Sequence, residues 1–493
     1  MQNRIILLLS IVTAAVVTRG ATYAATLSKS RPNIILVMTD DQGKGDLSCL
    51  GNEDLRTPNL DQLHAESTRL RDFHVSPTCA PTRSALMSGR HEFKNGVTHT
   101  ILERERMALG PRTVAEMLRD AGYETGIFGK WHLGDEDAYQ PHRRGFDETF
   151  IHGAGGIGQA YDCSCADAPP NRRNRYFDCV LRRNGQFVQT KGFCTDVFFQ
   201  AALGWIRERK DDDRPFFAYI STNAPHGPMI APEAYKQPFL DAGFDQNTAG
   251  RYGMIVNIDD NVGLLLEKMN EWELDENTLL IFMTDNGQAS RSAKRHGNRY
   301  PLFVAGLKNG KGSPNEGGTR VPAFWRWTGV LEKGRDVDAL TAHIDLFPTF
   351  ADLAGGDIPA NQVEGRSVVP LLENPNQEWP DRYLFTHRGR WPKGADPNAH
   401  KYQACAVRNE RYRLINNEQL YDIAADPGET ANVAAKHPEV VREMREAFDQ
   451  WWEETVPLMA NEKSPNASTK PFWEAYQRQV DSVGVPPWSP PTL

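Results

Sequence analysis

Asn33-Ile-Ile-Leu-Val-Met-Thr39 runs directly into Asp40-Asp41, and Thr278-Leu-Leu-Ile-Phe-Met-Thr284 runs into Asp285-Asn286. The two stretches are near copies, VMTDD against FMTDN. Each apolar run has the length of a strand and no polar interruption, the pattern of a strand covered on both faces. Glu124 to Phe128 and Pro215 to Ser221 supply two more such strands, while Thr113 to Ala121 and Tyr252 to Trp272 carry helical apolar spacing. Strands alternating with helices predict an α/β domain on a mostly parallel sheet. Ligand sites in these sheets lie beyond the carboxyl ends of the strands. Asp40-Asp41 and Asp285-Asn286 are therefore expected on one rim.

Beyond about Leu372 the α/β pattern fades. From Arg382 come shorter strand-like pieces, and then His437-Pro438 opens a helix with Val441, Met444, Phe448 and Trp452 on one apolar face. The chain thus divides into a leader over residues 1–25, a catalytic domain over 26–375 and a smaller C-terminal α+β subdomain over 376–493. Val485 to Leu493 is Pro-rich and is expected to run extended over the surface. Gly153, Gly155 and Gly158 fit G-x-G-x-x-G, but Cys163, Cys165 and prolines follow where a dinucleotide site needs an amphipathic helix. That segment reads as a flexible loop.

The leader has Arg4, an apolar run from Ile5 to Val17, then small residues around Ala21, Ala24 and Ala25. Its core is too short to span a bilayer, so a cleaved export signal and a periplasmic or secreted protein are expected. No later segment is long and apolar enough to cross a membrane. A net charge of -8 over 493 residues argues against a general nucleic-acid binder. The seven cysteines are Cys49, Cys79, Cys163, Cys165, Cys179, Cys194 and Cys405. Cys163, Cys165, Cys179 and Cys194 fall in one loop-like stretch, with spacing unlike a zinc site. After export, disulfides stapling that loop are expected, with the pairing open.

Asp40, Asp41, Asp285 and Asn286 form an all-oxygen set, the preference of a hard cation such as calcium or magnesium. Other strand ends carry cations. Lys130 and His132 lie in Gly129-Lys-Trp-His-Leu-Gly134, and His226 in Asn223-Ala-Pro-His-Gly-Pro228. Acids and cations on one rim suit an oxyanion bound beside a metal. Cys79 opens Cys79-Ala-Pro-Thr-Arg83, followed by Ser84-Ala-Leu-Met-Ser-Gly-Arg90. A helix beginning here would favour an anion at its N-terminus. By residue chemistry alone Cys79 is either a thiol nucleophile or a buried structural cysteine.

Cys-x-Pro-x-Arg followed by this Ser-x-Leu-x-x-Gly-Arg run resembles the signature of the type I, arylsulfatase-like sulfatases of the alkaline phosphatase superfamily. Asp40-Asp41, the Gly-Lys-Trp-His-Leu-Gly run, Ala-Pro-His, Thr-Asp-Asn-Gly and Lys311-Gly-Ser-Pro-Asn-Glu316-Gly-Gly-Thr-Arg320 follow in the family's order. So do Leu420-Tyr-Asp and Asp426-Pro-Gly-Glu. Asn315, where the family often has Tyr, is a departure, and the stretch from His152 to Cys194 has no safe correspondence.

The resemblance implies that a formylglycine-generating enzyme oxidises Cys79 to formylglycine. One calcium ion would be bound by Asp40, Asp41, Asp285, Asn286 and the modified Cys79. Arg83 and Lys130 would position the formylglycine, His132 would act on it as a base, and His226 and Lys311 would hold the sulfate and assist the leaving group. Its hydrated aldehyde would attack sulfur and carry the sulfate covalently before expelling it. The implied substrate is a sulfated small molecule or glycan, with Trp391, His387 and Arg388 expected to help line its pocket. The competing readings are a phosphoester or phosphonate hydrolase of the same superfamily and an inactive glycan-binding relative.

Overall fold

The structure is a computed structural model that describes residues 26–170, 175–374 and 376–493. The expected export signal over residues 1–25 lies outside the described residues. A ten-stranded sheet dominates the chain. Its centre is a block of adjacent parallel strands in the order Thr278–Thr284, Asn33–Thr39, Phe216–Ser221, Glu124–Lys130 and Glu148–His152. Ala323–Arg326 pairs antiparallel on one side, and Val180–Arg183 with Gln186–Gln189 on the other. The sheet is mixed and mostly parallel, as the apolar runs imply.

The unbroken apolar character of the central strands has a direct cause. Ile34, Leu36 and Met38 point into one core layer with Phe217, Tyr219, Leu279, Ile281 and Met283. Ile35 and Val37 point into the opposite layer with Ala218, Ile220, Leu280 and Phe282. Each strand therefore has no solvent face on which a polar residue would be favoured. Helices cover both layers. Val114–Asp120 is started by a capping box between Thr113 and Glu116, and Gln246–Glu271 by Asp245, whose carboxylate accepts from the Asn247 and Thr248 amides.

The C-terminal part forms a four-stranded antiparallel sheet ordered Leu384–His387, Cys405–Arg408, Tyr412–Ile415, Gln419–Asp422. Helix Pro438–Thr455 lays Met444, Phe448, Trp451 and Trp452 on it, with Val441 partly buried. His387 and Trp391, expected near the substrate, are instead in this core: both pack, tilted or edge-on, against Trp452 and Phe93. Their apolar ring faces find more to cover them here than at a wet pocket. A second helix, Pro471–Ser482, which periodicity had not marked, packs Phe472 edge-on against Phe187. The tail beyond it runs extended along the sheet edge: the Gln189 amide donates to the Pro486 carbonyl at 2.9 Å and the Trp488 amide to the Gln189 carbonyl at 2.8 Å.

A buried ionic cluster joins this small sheet to the large one. Glu316 accepts from Arg413 at 2.8 Å and Arg408 at 3.2 Å, and Asp72 accepts from Arg408 and His74, each at 3.0 Å.

The loop from 153 to 168, read from the sequence as flexible, is largely buried, and Asp167 anchors it by accepting the Gly153 amide at 2.9 Å and the Gly158 amide at 2.8 Å. The disulfides expected around it are not formed. Cys163, Cys165 and Cys194 carry free thiols, and the Cys179 thiol donates to the Arg175 carbonyl at 3.1 Å. Cys179 and Cys194 pack in an apolar layer, while Cys163 and Cys165 sit in a separate small cluster with Ala154. Apolar burial and the Asp167 bonds do the work assigned to covalent staples.

Candidate active site

Thr39 and Thr284 pair side by side, so the acidic residues after them leave the sheet together. Asp40, Cys79 and Asp285 each bring a ligand atom within 4.8 Å of the others, all buried. Asp41 turns back at φ 67, a left-handed conformation uncommon outside glycine, and its amide donates to Asp285 Oδ1 at 3.1 Å. Asn286 Nδ2 donates to Asp41 Oδ1 at 3.0 Å. Two buried acceptors, Asp40 Oδ1 and Asn286 Oδ1, have no partner among the described residues. Orphaned buried oxygens are rare and need a reason. An oxygen-seeking cation supplies one, so the donor set fits a hard divalent metal.

Protonation follows from position. Burial drives the Asp40 carboxyl up to about 7, with Asp41 and Cys79 adding repulsion and Lys130 opposing it. Burial and the neighbouring Asp40 likewise lift Asp285 to about 6, against the pull of Arg83. Burial would also raise Asp41, but the charges of Lys311 and His226 outweigh it and hold that carboxyl well below the usual range. Asp40 and Asp285 thus ionise reluctantly, whereas Asp41 stays ionised.

Cys79 begins the helix Cys79–Ser88, which ends at Gly89 in the left-handed conformation. Burial raises the thiol's pKa, yet Lys130 and Lys311 outweigh burial and leave it lowered. Arg83, one turn into the helix, spans the site. It donates Nη2 to Asp285 Oδ2 at 2.8 Å and Nη1 to the Lys130 carbonyl at 3.2 Å and to Ser221 Oγ. Lys130 ends its strand with Nζ 2.6 Å from Asp40 Oδ2. Gly129 before it has φ 118, and a Cβ there would lie 1.9 Å from the Ser221 carbonyl, so only glycine lets the two strand ends close.

The two histidines are oriented by backbone carbonyls, which only accept. His132 Nε2 therefore donates to the Thr100 carbonyl at 2.8 Å, leaving buried Nδ1 with a lone pair and no partner among the described residues. Burial, then Lys130, holds this imidazole neutral, well below its ordinary pKa. Gly155 of the anchored loop lies against its ring; a Cβ there would be 2.8 Å from Cε1. His226 Nδ1 donates to the Gly227 carbonyl at 2.9 Å, leaving Nε2 3.9 Å from Asp41 Oδ2. Lys311 Nζ reaches Asp41 Oδ1 at 2.5 Å, and the next amide, Gly312, donates to the Pro77 carbonyl at 2.7 Å.

All ten residues singled out from the sequence as catalytic or metal-binding are thus gathered at one strand-end rim. Sequence reasoning missed Ser221, a strand-end hydroxyl accepting from Arg83, and the segment Thr98–Thr100. Thr100 holds His132 through its carbonyl and accepts Arg390 Nη2 on its hydroxyl at 3.0 Å. Arg388 is exposed, with its Cδ 3.8 Å from a Cβ built at Gly312 beside Lys311, so of the three expected pocket residues it alone faces the rim. Polar residues in irregular segments have no periodicity to announce them.

A buried acidic cluster beside a helix-borne cysteine at the ends of parallel strands gives the site its layout. Similarity narrows the reading. The Sulfatase family model matches residues 32–356, and that for the N-sulphoglucosamine sulphohydrolase C-terminal region matches 314–454. N-acetylgalactosamine-6-sulfatase of Canis lupus familiaris is 34% identical over 391 residues, covering 76% of this chain and 72% of its own. Arylsulfatase A of Homo sapiens is 31% identical over 479 residues, covering 86% and 88%. Among solved structures, Ps i-CgsB in complex with k-i-k-neocarrahexaose superposes with a TM-score of 0.72 at 28% identity, covering 92% of this chain and 98% of that one. A phosphonate monoester hydrolase of Agrobacterium radiobacter shares the fold at a TM-score of 0.57 and 20% identity. The chain belongs to the sulfatase family and is a sulfuric ester hydrolase.

Proposed function

We propose that this sulfatase removes sulfate from a sulfated carbohydrate after export, using formylglycine made from Cys79 by a formylglycine-generating enzyme and one calcium ion. The observation that carries the reading is the pair of orphaned oxygens, Asp40 Oδ1 and Asn286 Oδ1, buried beside Cys79. Asp40, Asp41, Asp285 and Asn286 would hold the cation, which when bound neutralises the crowded carboxylates and polarises a sulfate oxygen. The hydrated aldehyde supplies two hydroxyl groups on one carbon, one to attack sulfur and one to let the group regenerate.

The remaining work falls to side chains already placed. Arg83 and Lys130 fix the nucleophile at the helix N-terminus and balance charge around it. A sulfate monoester splits through a loose transition state, so positioning and charge stabilisation dominate, by analogy with phosphoryl transfer. Lys311 and His226 face the same side of Asp41 and are suited to hold the sulfate oxygens. His226 Nε2, when protonated, gives its proton to the departing sugar oxygen. His132 Nδ1 takes a proton from the nucleophile's second hydroxyl, its tautomer set by Thr100. The carbohydrate substrate is supported by the N-acetylgalactosamine-6-sulfatase relatives and by the similar structure solved with a neocarrahexaose. The reading assigns catalysis to a region over 26–375, with a smaller C-terminal subdomain over 376–493.

A sulfate-release screen over sulfated mono- and oligosaccharides, run beside an aryl sulfate and an aryl phosphate, tests the proposal. Sulfate release from a sugar, with aryl sulfate turned over faster than aryl phosphate, is expected. Preference for the phosphate would favour the phosphoester reading.

A further inference from the structure

The hairpin Ser292–Arg295 and Asn298–Pro301 follows the Asp285-Asn286 pair along the chain, and its register sets Lys294 directly opposite Arg299. Like charges directly opposite across an antiparallel pair are destabilising. Arg295 on the same hairpin is matched by Asp54 at 3.2 Å. Lys294 and Arg299 are both exposed, and neither side chain has a carboxylate partner among the described residues. An uncompensated cationic pair kept in a small hairpin calls for an anion from outside.

The place of the pair says which anion. Lys294 and Arg299 line an open cavity of about 1080 Å³ together with Gly227, Pro228 and Met229. Gly227 follows His226, so one end of the cavity lies next to a residue of the site. Arg251 joins the lining although it is only 1% exposed. Its Nη2 donates to the Asp41 carbonyl at 2.9 Å and to Asp46 Oδ2 at 2.5 Å, while Nε and Nη1 have no partner among the described residues. The single carboxylate of the lining, Asp245, already accepts the amides of Asn247, Thr248 and Lys294. The groove therefore presents three cations against one carboxylate, which is turned to backbone amides.

We propose that this groove is a second anion-binding subsite, which takes a sulfate or carboxylate on the sugar neighbouring the one being desulfated. The inference rests on the carbohydrate-sulfatase reading and deepens it: the substrate is a polyanionic glycan with at least two charged sugars. An oxyanion lying between Lys294 and Arg299 turns their repulsion into two charge-assisted contacts, and the arginine fork matches a planar or tetrahedral oxyanion. Because the pair is exposed, the contribution is screened by salt.

Lys294→Ala, Arg299→Ala and the double variant test this on the mature enzyme, with nitrophenyl sulfate and a size-defined oligosaccharide sulfated on adjacent sugars as substrates. The readouts are the ratio of kcat/KM for oligosaccharide over aryl sulfate, its dependence on NaCl, and Tm. The expected result is a ratio lowered roughly tenfold for each charge removed, chiefly through KM, at low salt. Tm should stay level or rise, because a repulsive cross-strand pair has gone. A ratio within about threefold of wild type would overturn the proposal, as would a lower Tm with both substrates losing activity together. The parent reading fails separately, through a wild type that hydrolyses no sulfate ester. Equilibrium binding of the same oligosaccharide would still decide the groove: roughly tenfold weaker binding by the double variant supports it, and equal binding overturns it.

Discussion

The fold holds two buried clusters of acidic and metal-ligating side chains, and they differ in one respect. Asp40, Cys79 and Asp285 form one; Asp72, His74 and Glu316 form the other, each with ligand atoms within 4.8 Å. In the second cluster every carboxylate oxygen has a partner: Asp72 meets His74, Arg320 and Arg408, and Glu316 meets Arg320, Arg408 and Arg413. Burial would raise Glu316, but Arg413, His74 and Arg408 outweigh it and bring the carboxyl down to about 2. In the first cluster Asp40 rises to about 7 and Asp285 to about 6, with burial dominant and two oxygens orphaned. Both clusters hold cations, Arg83 and Lys130 among them in the first, but only the second has every carboxylate oxygen partnered; the first keeps oxygens free to take a further cation. Three acidic or histidine ligands close together are therefore not by themselves a metal site. Whether the buried oxygens are already all partnered decides.

The largest expected effect comes from removing a charge from each cluster in turn. Asp285→Ala should abolish calcium binding and reduce sulfate-ester turnover by at least about 10⁴-fold, because ligand, Arg83 anchor and site charge go together. Calorimetric metal titration and turnover check this, and stoichiometric calcium in an active variant would break the comparison. Glu316→Ala should leave Arg408 and Arg413 buried without an anion, costing about 3–5 kcal/mol of stability. Its denaturation midpoint should fall, while the folded fraction still binds calcium. Metal loss at constant stability would reverse the roles of the two clusters.

A finer distinction lies within the first cluster. His226→Ala should lose about 10²–10⁴-fold in kcat/KM on a sugar sulfate and much less on an activated aryl sulfate, since a nitrophenolate leaves without a proton. Equal losses on both substrates would reduce His226 to holding sulfate, with Lys311 the next candidate for the acid. The smallest effect is one of pH. The Glu316 carboxyl ionises at about 2 in the fold against 4.5 for the free group. A depressed carboxylate stabilises fully above the free value and loses that contribution as pH falls through the folded one. Stability of wild type should therefore decline between pH 4.5 and 2, a decline that Glu316→Gln flattens in a urea-denaturation series. Identical slopes for the two proteins would contradict it.

How far these clusters could be seen in the sequence differs in the same way. The strand runs ending at Thr39 and Thr284 are bounded as the apolar pattern draws them, because strands covered on both faces exclude polar residues along their whole length. The acids that end them were legible for the same reason: the first polar residue after such a run stands at the rim. The interface cluster was not legible, since Asp72, Glu316, Arg408 and Arg413 come from four separate short segments that only the fold brings together. His387 and Trp391 looked like pocket residues because aromatic side chains serve cores and binding sites alike, and their composition does not choose between them. Four cysteines in one loop suggested staples, but the loop is held by the buried carboxylates of Asp167, Asp135 and Glu103, which have no sequence signature.

The central claim is that Cys79 is the precursor of the nucleophile and that its cluster is completed by a cation. The most direct measurement is mass spectrometry of the Cys79 peptide from enzyme of known specific activity, made with and without a formylglycine-generating enzyme. The account predicts an aldehyde in place of the thiol, in a fraction that rises in proportion to activity. An unmodified thiol in fully active enzyme would contradict it.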